Sequence, residues 1–137
     1  MKSMEKRKII VGVTGASGSI LGWRLLERLQ LMRNIETHLI LTRAGERTAW
    51  LEMQKKAADF RGLASFHHSQ EDIGSALASG SFRTDAMIVA PCSINSMSAI
   101  AHGLTDNLLT RAADVILKER RRLILMVREM PFHLGHL

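Results

Sequence analysis

KIIVGVTGASGSILG, residues Lys8 to Gly22, is the stretch on which the fold turns. Lys8–Val13 is an apolar run rich in β-branched residues and reads as a strand. It stops at Thr14-Gly15-Ala16-Ser17-Gly18, and beyond that turn Ile20, Leu21, Trp23, Leu25, Leu26, Leu29 and Met32 recur by threes and fours. Arg24, Glu27, Arg28 and Arg33 fall largely off that face, so a one-sided helix follows the strand.

Working outward, three more apolar segments recur at regular intervals: Thr37 to Leu41, Ala86 to Ala90 and Leu123 to Val127. Helical periodicity fills the intervals. One helix runs from about Gly45 to Phe60 with Trp50, Leu51 and Met53, a short one lies in IGSALASG, and another spans roughly Asn107 to Arg120 with Leu108, Leu109, Ala112, Val115 and Ile116 on one side. Strands alternating with helices pair in parallel through right-handed crossovers. The expected fold class is therefore α/β: a doubly wound, mostly parallel open sheet of Rossmann or flavodoxin-like type, in three α/β/α layers. Such sheets bind ligands outside the carboxyl ends of their strands.

The chain has 137 residues, 46% of them hydrophobic and 23% charged, an ordinary balance for one domain with one modest core. Residues 1–137 are read as a single domain without a linker. No apolar run approaches the roughly 20 residues that span a bilayer, and MKSMEKRK lacks the features of a secretory signal. Cys92 is the only cysteine, which fits a reducing compartment and a cytoplasmic location. The net charge of +6 invites a nucleic-acid reading, but aromatics are 4%, Tyr is absent, and the densest basic cluster, LKERRR, reads as a solvated helix end. Neither nucleic acid nor a membrane is expected as a partner; small anions are.

The first strand-to-helix turn offers free N–H groups, an anion site worth roughly 0.3–1 kcal/mol per charge from the helix dipole alone, and Ser17 adds a hydroxyl. The spacing of Gly12, Gly15 and Gly18 is not G-x-G-x-x-G, and no Walker Lys-Ser/Thr pair follows, so a plain tight connection stays open. After the second strand come Thr42 and Arg43, where an NAD fold would carry an acidic residue for the ribose. A hydroxyl and a cation suit phosphate, and Arg43 also keeps an NADP reductase open. His67-His68 read as a loop pair rather than metal ligands, so no metal is expected. Cys92 reads as a small packed residue, His102 as structural or at a subunit contact, and the eight methionines as core filler.

The segment APCSINSMSAIAHGLTDNLLTRAADVILKERRRLILMVREMPF, with TGASG and SGSFRTDAMIVAPCS before it, resembles the UbiX-type flavin prenyltransferases. Their hallmark is a Pro-Cys-Ser turn, a small-residue helix, Asn-Leu-Leu-x-Arg-Ala-Ala-Asp-Val-x-Leu-Lys-Glu-Arg, a strand and Arg-Glu-x-Pro. The resemblance implies FMN as cofactor, reduced during turnover, and joining of a dimethylallyl group from dimethylallyl phosphate to N5 and C6 of the flavin. It further implies a UbiD-type decarboxylase as acceptor of the prenylated flavin and a large homo-oligomer with the ligand site between subunits. By motif, Thr14, Gly15, Ala16, Ser17, Thr42, Ser93 and Arg111 are expected at FMN, Lys118 and Arg128 at the prenyl phosphate, and Ser17, Glu52 and Glu129 in catalysis.

The resemblance also implies several dozen residues beyond Leu137, including a tyrosine and an arginine of the prenyl-phosphate site, and the segment REMPFHLGHL ends without a further element to cover it. The chain is thus expected to be shortened, or covered at its open edge by another subunit. Two alternatives follow: an FMN carrier without prenyl transfer, and, from Asn95 in Pro-Cys-Ser-Ile-Asn-Ser, a flavin-dependent cysteine-peptide decarboxylase.

Overall fold

The computed structural model describes residues 5–128. Five strands form one sheet: β1 (Arg7–Val13), β2 (Ile35–Leu41), β3 (Phe66–His68), β4 (Ala86–Cys92) and β5 (Arg122–Val127). Their spatial order is β3-β2-β1-β4-β5 and every pair is parallel. This is the doubly wound α/β arrangement expected from the sequence. The order reverses between β1 and β4, which places the ligand crevice at the carboxyl ends of those two strands.

Alternate residues of the strands feed two cores. Val11, Val13, Leu39 and Leu41 face one side, where they pack with Leu26 and Leu29 of α1 (Ser19–Gln30), Ala49 of α2 (Arg43–Met53) and Phe60 of α3 (Ala57–Arg61). Ile10, Ile40, Met87 and Val89 face the other, against Ile100 of α4 (Ile94–Ala101) and Leu108, Leu109, Ala112 and Ile116 of α5 (Leu108–Lys118). Glycine sets the closeness of α1 to the sheet: a Cβ at Gly22 would stand 2.5 Å from the carbonyl oxygen of Ala90. On β5, Leu123 and Leu125 pack into the second core while Ile124 and Met126 on the opposite face are exposed.

Three expectations need correction. The helix read over 45–60 is two helices, because Gln54 takes a left-handed conformation at φ 54° after α2. A new start follows at once, where the Asp59 carboxylate accepts the Lys56 N–H at 2.8 Å. The pair His67-His68, read as loop, belongs to the edge strand β3, which is three residues long and too short to show a period. The stretch IGSALASG supplies only a 3-10 turn at Ala76–Ala78.

One polar chain crosses the second core. Glu36 Oε2 lies 2.7 Å from His38 Nε2, His38 Nδ1 lies 3.0 Å from His68 Nε2, and His68 Nδ1 lies 3.1 Å from Ser75 Oγ. His38 is buried, stacked on Phe66 and edge-on to Phe82. Ser75 in turn accepts the Leu77 N–H and starts the turn that buries Leu77. Burial, with the neighbouring His38 next, holds the His68 imidazole below the usual histidine range.

Candidate functional site

The glycine-rich turn after β1 is clamped from one side by a single face of α2. Ala44, Thr48 and Glu52 stand four residues apart, one above another on the helix. A Cβ at Gly15 would lie 2.6 Å from that of Ala44, so only glycine admits this approach. The Thr48 hydroxyl donates to the Gly15 carbonyl at 2.8 Å. One turn further on, the Glu52 carboxylate accepts from the Ser17 hydroxyl (2.8 Å), the Gly18 N–H (3.0 Å) and the Ser19 N–H (2.9 Å).

The anion site that the sequence placed at the N-terminus of α1 therefore exists, but the protein's own Glu52 carboxylate occupies it. Burial works against the charged form of Glu52, yet the Ser19 N–H, the Ser17 hydroxyl and the Gly18 N–H outweigh it and hold the carboxyl below its ordinary range. Ser17 is exposed and spends its one hydrogen on Glu52, so toward a ligand it offers only an acceptor. Gly18 has φ +101°, and the Arg128 side chain lies against it, with Cδ and Nε 3.2 and 3.5 Å from where a Cβ would be. Ser17, Glu52 and Arg128 thus converge at one place.

Four of the expected cofactor residues have structural roles in the turn and its neighbours. Thr14 is buried; its hydroxyl donates to the Pro91 carbonyl at 2.8 Å and accepts the Ser93 N–H at 3.0 Å, which ties the end of β1 to the end of β4. Gly15 is spent on α2, and Ala16 is buried, with its N–H directed to Thr14. Ser93 caps α4 by accepting the Ser96 N–H and donates its own hydrogen to Ser96 Oγ. In this structure the side chains of Thr14 and Ser93 and the closeness of Gly15 to α2 support the turn.

Thr42 caps α2 through the Gly45 N–H, and its hydroxyl hydrogen has no acceptor among the described residues. Arg111, in the first turns of α5, has a buried Nε without a hydrogen-bond partner among the described residues, and so has Ser19 Oγ. Buried donors are rarely left unpaired. Arg111 Nε is thus a donor left open by the described residues.

Lys118 is not gathered into this group. It sits in the last turn of α5, about 10 Å along the axis from Arg111. It pairs there with Asp114 at 2.8 Å, at the end of the sheet where β5 begins. Glu129 lies outside the described residues. Arg43, read as a phosphate or NADP contact, pairs with Glu71 at 2.7 Å. Cys92 is buried, and burial pushes its thiol up to about 11, which suits a packing role. His102 ends α4 by donating Nδ1–H to the Ser98 carbonyl at 2.8 Å, and Asn95 is exposed on that helix.

The sequence reading missed Thr48, the Ala44 contact and Gln70. The first two carried a signal in their four-residue spacing with Glu52. Gln70 carried none, since its partners are backbone groups of distant helices. Among the described residues no group of three or more His, Cys, Asp or Glu side chains is placed to hold a metal ion, and no helix is long and apolar enough to cross a membrane.

Comparison with known proteins gives concordant results. The flavoprotein family matches residues 1–134. The flavin prenyltransferase UbiX of Escherichia coli (strain K12) is 50% identical over 131 residues, covering 96% of this chain and 69% of that protein. A dodecameric FMN-dependent UbiX-like decarboxylase from Escherichia coli O157:H7 superposes with a TM-score of 0.92 at 48% identity, over 94% of this chain and 70% of the other. AnUbiX (PadA1), solved in complex with FMN and dimethylallyl pyrophosphate, superposes with a TM-score of 0.90 at 44% identity, over 96% of this chain and 70% of the other. The chain spans about two thirds of the length of these relatives.

Proposed function

Because the chain belongs to the flavoprotein family and stands at half-identity to the UbiX enzymes, we propose that it is a flavin prenyltransferase, joining dimethylallyl from dimethylallyl phosphate to reduced FMN. The observation that carries this reading is the convergence of Ser17, Glu52 and Arg128 at the carboxyl edge of the sheet.

FMN fits the residues present. Its phosphate and ring oxygens are acceptors, and the unpartnered Arg111 Nε and the uncommitted Thr42 hydroxyl hydrogen are donors. Thr42 and Arg111 would hold the phosphate and ribose, and Ser17 would face the reactive edge. When bound and reduced, FMN supplies the nucleophilic ring atoms. Arg128 supplies a fixed cation for the phosphate whose allylic carbon–oxygen bond breaks, placed where negative charge develops. Ser17 Oγ, open as an acceptor and bonded to an ionised Glu52, takes up a proton and passes its own to the carboxylate. Glu129 is assigned to the same proton economy. Lys118 faces the opposite end of the chain's own sheet, so a site that uses it draws it from a second copy in a homo-oligomer, as the dodecameric relative assembles.

The reading includes a cytoplasmic location, one flavin-binding domain over residues 1–137, and delivery of the prenylated flavin to a UbiD-type decarboxylase. The test is anaerobic incubation with FMN, dithionite and dimethylallyl phosphate or pyrophosphate, followed by mass spectrometry of the released flavin. A gain of one dimethylallyl unit is expected. Bound but unmodified flavin would refute transfer and leave a flavin carrier.

A further inference from the structure

We propose that Gln70 is a positioning residue for the flavin phosphate, joining the helix starts that carry Thr42 and Arg111; the inference rests on the flavin-binding reading above. Gln70 lies in the loop after β3. Its side-chain Oε1 accepts the Arg43 N–H at 2.7 Å, and its backbone carbonyl accepts the Leu108 N–H at 2.8 Å. Arg43 is the first residue of α2 and Leu108 the first of α5.

These two helices pack on opposite faces of the sheet, so their side chains do not meet across it. First-turn N–H groups of a helix have no partner within the helix. One residue satisfies such a group on each, over the carboxyl edge, and thereby fixes one helix start relative to the other. Thr42 immediately precedes Arg43, and Arg111 follows Leu108 by one turn. The separation of the two expected phosphate donors is thus set through Gln70. The loop is itself anchored on both sides of Gln70: His68 bonds to His38 and Ser75, and Glu71 pairs with Arg43. Side-chain length is part of the fit, since asparagine is one methylene short and a glutamate would bring negative charge toward the phosphate.

The experiment compares the wild-type chain with Gln70→Met and Gln70→Glu, titrating each with FMN and with riboflavin, which lacks the phosphate, by quenching of flavin fluorescence. Amide exchange of the flavin-free chain is measured alongside. Gln70→Met is expected to weaken FMN about tenfold, the equivalent of one hydrogen bond to a charged ligand, and to leave riboflavin unchanged. Exchange at Arg43 should accelerate in Gln70→Met and stay slow in Gln70→Glu, which keeps an acceptor of the same reach. Equal loss of both flavins, or unchanged FMN affinity with accelerated Arg43 exchange, overturns the inference and leaves flavin binding intact. Failure of the wild-type chain to bind FMN overturns the flavin reading, and the inference with it.

Discussion

Replacing Gly22 by alanine sets two known effects against each other in the middle of α1. Alanine gains about 1 kcal/mol over glycine in a helix interior. Against this, the new Cβ would stand 2.5 Å from the Ala90 carbonyl oxygen and 2.9 Å from Val13 Cγ2, where ordinary contact begins at 3.4 Å. The carbonyl belongs to β4 and cannot rotate away, so α1 must lift by about 0.9 Å. Overpacking costs about 1–3 kcal/mol, and a backbone obstacle puts this site at the upper end, for a net loss of about 2 kcal/mol. For a chain of this length that lowers the melting temperature by about 6–10 °C. The same lift draws Ser17, Gly18 and Ser19 off the Glu52 carboxylate, so flavin affinity should fall as well. Gly62→Ala is the control: its φ of −64° suits any residue and its nearest neighbours are at 3.5 Å, so it should be neutral or gain about 0.4–1 kcal/mol. Thermal unfolding at one protein concentration, followed by circular dichroism, measures both. A Gly22→Ala protein as stable as the wild type would refute the reasoning that backbone contact outweighs helix propensity.

The Glu52 carboxyl lies below its ordinary 4.5, so its contribution to stability is full above that pH and is lost as pH falls through the lower folded value. Glu52→Gln should therefore have a lower urea midpoint than wild type at pH 7, with the gap closing below pH 4.5. His68 is also depressed, from 6.5, so stability should decline as pH falls below 6.5; His68→Gln should flatten that decline in the same urea series. With its thiol pushed up to about 11 and fully buried, Cys92 should resist a chromogenic disulfide reagent at pH 8 in the folded chain and react at once in denaturant.

The fold was legible because its long elements carry strong patterns: β1, β2 and β4 stand out as apolar segments, and α5 presents apolar residues at spacings of three and four. What escaped was short or non-local. β3 has three residues, and it pairs because its neighbour β2 offers a free edge at His38–Ile40, a fact held by another segment of the chain. The break at Gln54 escaped because no glycine or proline marks it. In the site, the glycine turn correctly announced an anion-binding helix start, but the sequence did not reveal that the anion is Glu52, since nothing in the turn names the helix packed against it. Thr14 and Ser93 read alike as cofactor contacts, and only the joining of β1 to β4 shows the Thr14 hydroxyl bonded to the Pro91 carbonyl and the Ser93 N–H, with the Ser93 hydroxyl turned onto Ser96.

The chain of Glu36, His38, His68 and Ser75 has a directional consequence. With both imidazoles neutral, Glu36 claims the hydrogen on His38 Nε2, which leaves Nδ1 to accept from His68 Nε2, and His68 Nδ1 to accept from the Ser75 hydroxyl. One proton added at His38 reverses every bond beyond it: Nδ1–H now donates to His68, whose own Nδ1–H donates to Ser75, and the serine hydrogen is set free. No contact breaks. A second proton would put two hydrogens into the 3.0 Å between the rings and force them apart. The four residues therefore hold one transferable hydrogen order, written at a carboxylate on β2 and read out at the serine that begins the Leu77 turn, and ring-nitrogen chemical shifts of the two histidines would report which order is present.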